Sequence, residues 1–175
     1  MFDTNTQIIE RIGETDQHYL AGNSPDLALE RGDLRLQLVT ISRNRQERLY
    51  FLHEAIAILE QSRIEFEEMP MQSYIDLSLQ LAKAYMIYFE LTQDNKFAII
   101  TQQILKPLAH LNYADVYFFL AYASAVKNEA AFTKHWLSKY VKTELCDYQL
   151  LLEHPAFAAT HQEEWFKRLV KPQLH

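Results

Sequence analysis

Along most of this chain, apolar side chains recur every three or four positions, the period of a helix with one dry face. Residues 3–20 place Ile8, Ile9, Ile12 and Tyr19 on the inward side of a first helix. "GNSP" at 22–25 ends it and opens a second, with Ser24 as a natural N-cap and Pro25 as a natural first-turn residue. The second helix extends to about Ser42, interrupted or weakened by Gly32. A third covers about 46–67, where Leu49, Leu52, Ile56, Leu59 and Phe66 keep the spacing and Arg63 breaks it. Pro70 disfavours helix at Met69 and so separates the third from the fourth.

The fourth helix, 71–91, carries two apolar stripes, one through Tyr74, Leu77, Leu81, Ala84, Tyr88 and Leu91 and the other through Ile75, Leu79, Ala82, Met86 and Phe89. Its charges, Asp76, Lys83 and Glu90, fall seven apart and share one narrow strip. Such a helix is packed on two sides, in the middle of a layered helical assembly. "TQDN" caps a fifth helix, 95–110, which Pro107 must kink or end. A sixth, 113–127, is apolar nearly all round, through Tyr113, Val116, Tyr117, Phe118, Phe119, Leu120 and Tyr122. "KNE" turns the chain into a seventh, 129–143, with Phe132, Trp136, Leu137 and Tyr140. No strand signal stands against these helices, and no linker is long enough to divide the chain.

Composition supports an all-α domain spanning 1–175. Three glycines and five prolines in 175 residues leave few turns for hairpins. The net charge of −6 argues against a general nucleic-acid binder, because neutralising phosphates requires clustered Lys and Arg. "SRNRQER" at 42–48, with Arg43, Arg45 and Arg48, is the local exception and reads as a solvated loop, with anion binding as the other possibility. The single cysteine, Cys146, excludes an internal disulfide and a multi-cysteine zinc site, and reads as a small packing residue. No apolar run reaches the length of a membrane span, and the first residues lack the pattern of a signal peptide. The expectation is a cytoplasmic protein without membrane contact.

From the fourth helix to the seventh, two helices recur every ~34–40 residues, the period of tetratricopeptide-type repeats. "LAKAY" places Leu81, Ala82 and Tyr85 where that family carries Leu, a small residue and Tyr; Ala98 and Leu105 fall near its second-helix positions. Tyr117, Leu120 and Ala121 resemble the Trp, Leu and Gly positions of a next unit, with Ser124 where Tyr is usual. Ala55, Leu59 and Ser62 have the small-large-small spacing of an earlier second helix. The chain thus resembles a tetratricopeptide-like repeat protein over 46–143, with N-terminal helices at 1–45. The resemblance implies antiparallel helix pairs stacked as a short right-handed solenoid. Residues 144–175 resemble the segment that closes such an array, with Leu150, Leu151, Phe157, Trp165, Phe166 and Leu169 covering the open end.

The closing stretch, "LLEHPAFAATHQEEWFKRL" at 151–169, also tempts a metal reading through His154, His161, Glu153, Glu163 and Glu164. Helical zinc sites favour ligands at i and i+4, however, and Pro155 breaks any helix between the two histidines. No G-x-S-x-G, Gly-rich phosphate loop or Cys-His signature is present. The expectation is no metal, no cofactor and no catalytic residues.

By the repeat resemblance, the first helix of each pair lines a concave face that binds a partner. Asp76, Leu79, Lys83, Met86 and Ile87 line it in one unit, with Asp115, Phe118 and Tyr122 in the next. The apolar members are equally readable as core, and Lys83 and Tyr122 offer a charge and a polar tip. The Lys/Asn set with which chaperone-binding relatives clamp a peptide carboxylate is not matched on these helices. Two expectations follow, an adaptor that holds a peptide or helix of another protein and a structural component that self-assembles as a homodimer, with an enzyme whose site matches no known pattern as the remaining alternative.

Overall fold

The computed structural model describes residues 4–66 and 68–171, and among these the backbone is helical with no strand. Expectations that touch Asp3, Glu67 and residues 172–175 lie outside the described residues. The chain divides after Thr92 into two compact units. The division falls between the fourth and fifth helices, which the repeat reading pairs, and uses a tight turn rather than a linker.

The first unit contains α1 (Thr4–Ala21), α2 (Pro25–Ile41), α3 (Arg45–Glu65) and α4 (Met71–Thr92). Ser24 caps α2 as expected, its hydroxyl accepting from the Leu27 amide at 3.1 Å. Asn44 caps α3 by accepting from the amides of Gln46 and Glu47. Gly32 does not interrupt α2. It is buried, and a Cβ there would lie 2.9 Å from Leu59 Cδ2 on α3. The glycine is therefore a close-approach point between two helices, and helix geometry tolerates it because packing outweighs its ~1 kcal/mol propensity cost.

The core of this unit joins Leu36, Val39, Leu52, Ala55 and Ala84 from three helices. A smaller cluster of Ile8, Leu34 and Leu38 seats α1. The expected inward face of α1 is partly wrong: Ile9 is 57% exposed and Tyr19 41% exposed. Only Ile8 and Thr15 are buried on α1, so ion pairs must supply much of its attachment. Arg11 reaches both carboxylate oxygens of Glu30, at 2.6 and 3.1 Å. Arg35, buried on α2, reaches Asp16 of α1 at 3.3 Å and Glu54 of α3 at 3.0 Å. One guanidinium thus ties three helices together. Arg63, which breaks the α3 stripe, donates to Ser78 Oγ and the Tyr74 hydroxyl of α4.

The second unit contains α5 (Lys96–Leu105), α6 (Ala114–Val126), α7 (Ala130–Tyr140), α8 (Tyr148–Glu153) and α9 (Glu164–Val170). Asp94 serves the first turn of α5 by accepting from the Lys96 amide at 3.0 Å. Pro107 ends α5, and the backbone tightens into a 3₁₀ segment, Lys106–Leu111. Nine of the thirteen residues of α6 are buried, as its all-round apolar pattern requires. Phe132 on α7 is 53% exposed, so α7 turns only Thr133, Trp136, Leu137 and Tyr140 inward. Buried Gln102 donates to Ser124 Oγ and to Glu129 Oε1, while Lys127 donates to its carbonyl oxygen. The bond from Gln102, together with Lys127, holds the Glu129 carboxyl below its ordinary range.

Arg35→Ala should lower stability by about 2–4 kcal/mol, since it strands carboxylates packed on a buried cation. Arg11→Ala, at an exposed and solvent-screened pair, should cost clearly less than Arg35→Ala; urea midpoints rank the two. Glu129 has a folded pKa below its unfolded value, so its contribution is present at neutral pH. It is lost as the pH falls through that lowered value, below the ordinary 4.5. Glu129→Gln should flatten the acid limb of a pH–melting profile in that window.

Candidate functional site

The closing segment is built by packing. Asp147 caps α8, and Pro155 starts a 3₁₀ segment, Pro155–Thr160, that turns Phe157 inward. Leu151, Phe157, Phe166 and Val170 are buried; Leu150, Trp165 and Leu169 are half-buried. Phe157 meets Phe118 of α6 at a ring-centroid distance of 5.9 Å. The two histidines serve the same packing. His154 Nδ1 accepts from the Ala156 amide at 3.2 Å, and its ring packs edge-on to Tyr122 at 4.4 Å. His161 donates from Nε2 to the Leu151 carbonyl at 3.3 Å, and its ring leans on Phe166 at 4.9 Å. No group of three or more His, Cys, Asp or Glu among the described residues could hold a metal ion.

The expected partner-binding set separates into core and surface. Met86, Phe118 and Tyr122 are buried, at 1%, 7% and 5% exposure, and cannot line an open face. Phe118 is the hub of an aromatic cluster with Tyr122, Tyr140, His154 and Phe157. On α6, Phe118 and Tyr122 face the closing segment and α7, which is why the groove assignment fails there. Lys83 and Asp115 are exposed, and Asp76 is half-buried, where it accepts from Gln72.

A cleft of about 530 Å³ opens in the second unit, between the start of α6 and the end of α7, and none of those three residues lines it. Asn112, Tyr113 and Ala114 form one wall; Lys139, Lys142, Thr143, Glu144 and Leu145 form the other. Tyr117 is its floor. The Tyr117 hydroxyl, with one proton to donate, lies between the Ala109 carbonyl oxygen at 2.8 Å and Asn112 Oδ1 at 2.7 Å, and its ring stacks on Trp136. Asn112 takes φ +60°, a left-handed conformation asparagine tolerates. Lys139 Nζ lies 5.9 Å from the centre of the Tyr117 ring. The rim is pinned by Tyr140, whose hydroxyl accepts from the Asp147 amide at 2.7 Å. Burial pushes that phenol up. Cys146 fills the same turn, its thiol directed to the Val141 carbonyl at 3.6 Å. Leu145 is left 83% exposed at the mouth.

The sequence offered one usable signal for this cleft: Lys139 and Lys142 flank an apolar helix end with no carboxylate on the outer side of that helix. Tyr113 and Tyr117, four apart, were legible as core only. The "SRNRQER" loop, by contrast, is largely structural. Arg45 donates to the Leu91 carbonyl and Arg48 to the Val39 carbonyl, leaving Arg43 beside a notch of about 360 Å³ with Ile9, Ile41 and Phe51.

No family model, curated protein or solved structure gives a significant match to this chain.

If the histidines pack rather than ligate, aromatic truncations should dominate. Phe157→Ala and Phe166→Ala should each cost about 3–5 kcal/mol. His161→Ala, which loses one long hydrogen bond and a ring contact, should cost no more than about 1.5 kcal/mol. Trp165→Ala should fall between them, being half-buried. Denaturant midpoints measure all four, and the reverse order would restore the metal reading.

Proposed function

We propose that this chain is a non-enzymatic protein-interaction module of tetratricopeptide-like helix pairs, working in the cytoplasm and holding a peptide segment of a partner protein. The cleft at the α6–α7 end carries this reading. It combines an aromatic floor already fixed by hydrogen bonds with long, exposed, adaptable side chains at its rim, the make-up of a recognition surface. The groups best suited to catalysis are otherwise engaged: Cys146, His154 and His161 all serve local packing. The repeat-like positions support the family reading, because Ala55, Leu59, Ser62, Leu81, Ala82, Ala98, Leu105, Leu120 and Ala121 are all buried at helix contacts. No helix among the described residues is long and apolar enough to cross a membrane.

Self-assembly is the second reading. The notch of the first unit leaves Ile9 57% and Ile41 39% exposed side by side, an apolar pair that a second copy could cover.

The two readings separate by experiment. Partner capture on immobilised protein should be lost in Leu145→Asp and retained in Ile9→Asp, with circular dichroism unchanged in both. Light scattering that detects a dimer abolished by Ile9→Asp, with capture indifferent to Leu145, would instead favour self-assembly.

A further inference from the structure

The charges of this chain are segregated in a way that bears on what the cleft accepts. Residues 1–92 hold eight Lys and Arg against fifteen Asp and Glu; residues 93–175 hold nine against eight. The two halves therefore carry −7 and +1. The kind of cation differs as well. In the first half seven of the eight are arginines, and Arg11, Arg31, Arg35, Arg45, Arg48 and Arg63 donate to carboxylates, carbonyls or hydroxyls within the unit. In the second half eight of the nine are lysines.

Those lysines are not all employed. Lys96, Lys127 and Lys167 pair with Asp94, Glu129 and Glu164. Lys134, Lys139 and Lys142, on the outer side of α7 and the turn after it, are exposed and have no described carboxylate within ion-pair distance. Lys139 and Lys142 line the cleft, and Lys134 lines a shallower notch of about 280 Å³ with Arg168 and Trp165. On a chain of net charge −6, Lys139 and Lys142 form an unpaired pair of cations in the wall of an aromatic-floored cleft. Glu144 is the single acidic residue of the cleft wall.

Resting on the reading of the cleft as a peptide site, we infer that its occupant is an acidic segment of a partner protein. It would carry an apolar or aromatic side chain that enters over Tyr117 against Leu145, with carboxylates that meet Lys139 and Lys142. Lysine suits such contacts because it is a mobile point charge that meets carboxylates of varied spacing, whereas the structural arginines of the first unit hold fixed partners. The apolar walls favour a polypeptide over a nucleic acid, whose phosphates need a broader cationic track. The acidic first half of the chain attracts basic segments and repels acidic ones, so the affinity for an acidic occupant resides in Lys139 and Lys142.

The test uses the full chain and fluorescein-labelled copolymers of glutamate with tyrosine and of lysine with tyrosine, read by anisotropy. The glutamate–tyrosine copolymer should bind. Lys139→Glu with Lys142→Glu should weaken that binding about tenfold or more, and raised salt should weaken wild type likewise, as expected for surface charge pairs. The lysine–tyrosine copolymer should not lose affinity in the double variant, because whatever acidic surface draws it lies outside the cleft. Lys83→Glu, a charge reversal at a residue that does not line the cleft, should leave binding of the glutamate–tyrosine copolymer within about twofold. Equal or tighter binding of a single-stranded oligonucleotide overturns the inference in favour of a nucleic acid. A salt-sensitive oligomer of the pure protein, dissolved by Lys139→Glu with Lys142→Glu, overturns it in favour of a second copy. If capture of a partner depends on Leu145 but ignores the lysine reversals, the acidic occupant is wrong while the cleft reading stands. Capture indifferent to Leu145 as well removes both.

Discussion

Helix α6 buries nine of its thirteen residues, and the second unit is organised by the need to cover it. Val116, Leu120, Ala121 and Ala123 are fully buried along it, and Phe118 is nearly so. Helices α5 and α7 flank α6, and the Pro155–Thr160 segment packs on it as well. That last cover is why the tail exists in the form it does. Phe157 reaches Phe118 only because Pro155 turns the backbone, and His154 caps that turn while its ring packs on Tyr122. An isolated helix of such composition would leave several hundred Å² of apolar surface wet, at roughly 25 cal/mol per Å².

The first unit meets its constraint differently. Its outer helix, α1, buries little apolar surface, and charged groups hold it in place through Arg11, Arg31 and Arg35. Arginine serves here because its planar fork reaches two acceptors at once. Arg31 also stacks over the Tyr19 ring at 4.1 Å, which gives that exposed tyrosine a structural purpose.

The cleft lies where the cover of α6 stops. Tyr117 is buried at its ring yet forms a floor, because the walls on either side are a left-handed asparagine turn and the hydrogen-bonded turn after α7 rather than another helix. A recognition site at the end of a buried helix inherits rigidity from the core beneath it. The adaptable lysines sit on the rim, where no core constrains them.

Period alone determined much of this protein. The all-helical class, the cap at Ser24, the stop at Pro107 and the burial of α6 and of the closing aromatics follow from local rules that hold whatever the neighbours are. Other features were decided only by tertiary structure. Gly32 read as a weak point in a helix, but its missing Cβ is what lets Leu59 approach, and no local pattern records a neighbour from another helix. Ile9 and Tyr19 had the spacing of core residues yet face outward, because α1 packs chiefly on α2 and needs a narrower dry stripe than its sequence carries. Met86, Phe118 and Tyr122 were assigned to a groove for the converse reason: periodicity finds apolar faces but cannot say which of them other helices will cover. The cleft joins residues from two walls some thirty positions apart in sequence, from Asn112 to Leu145, and only folding brings them together.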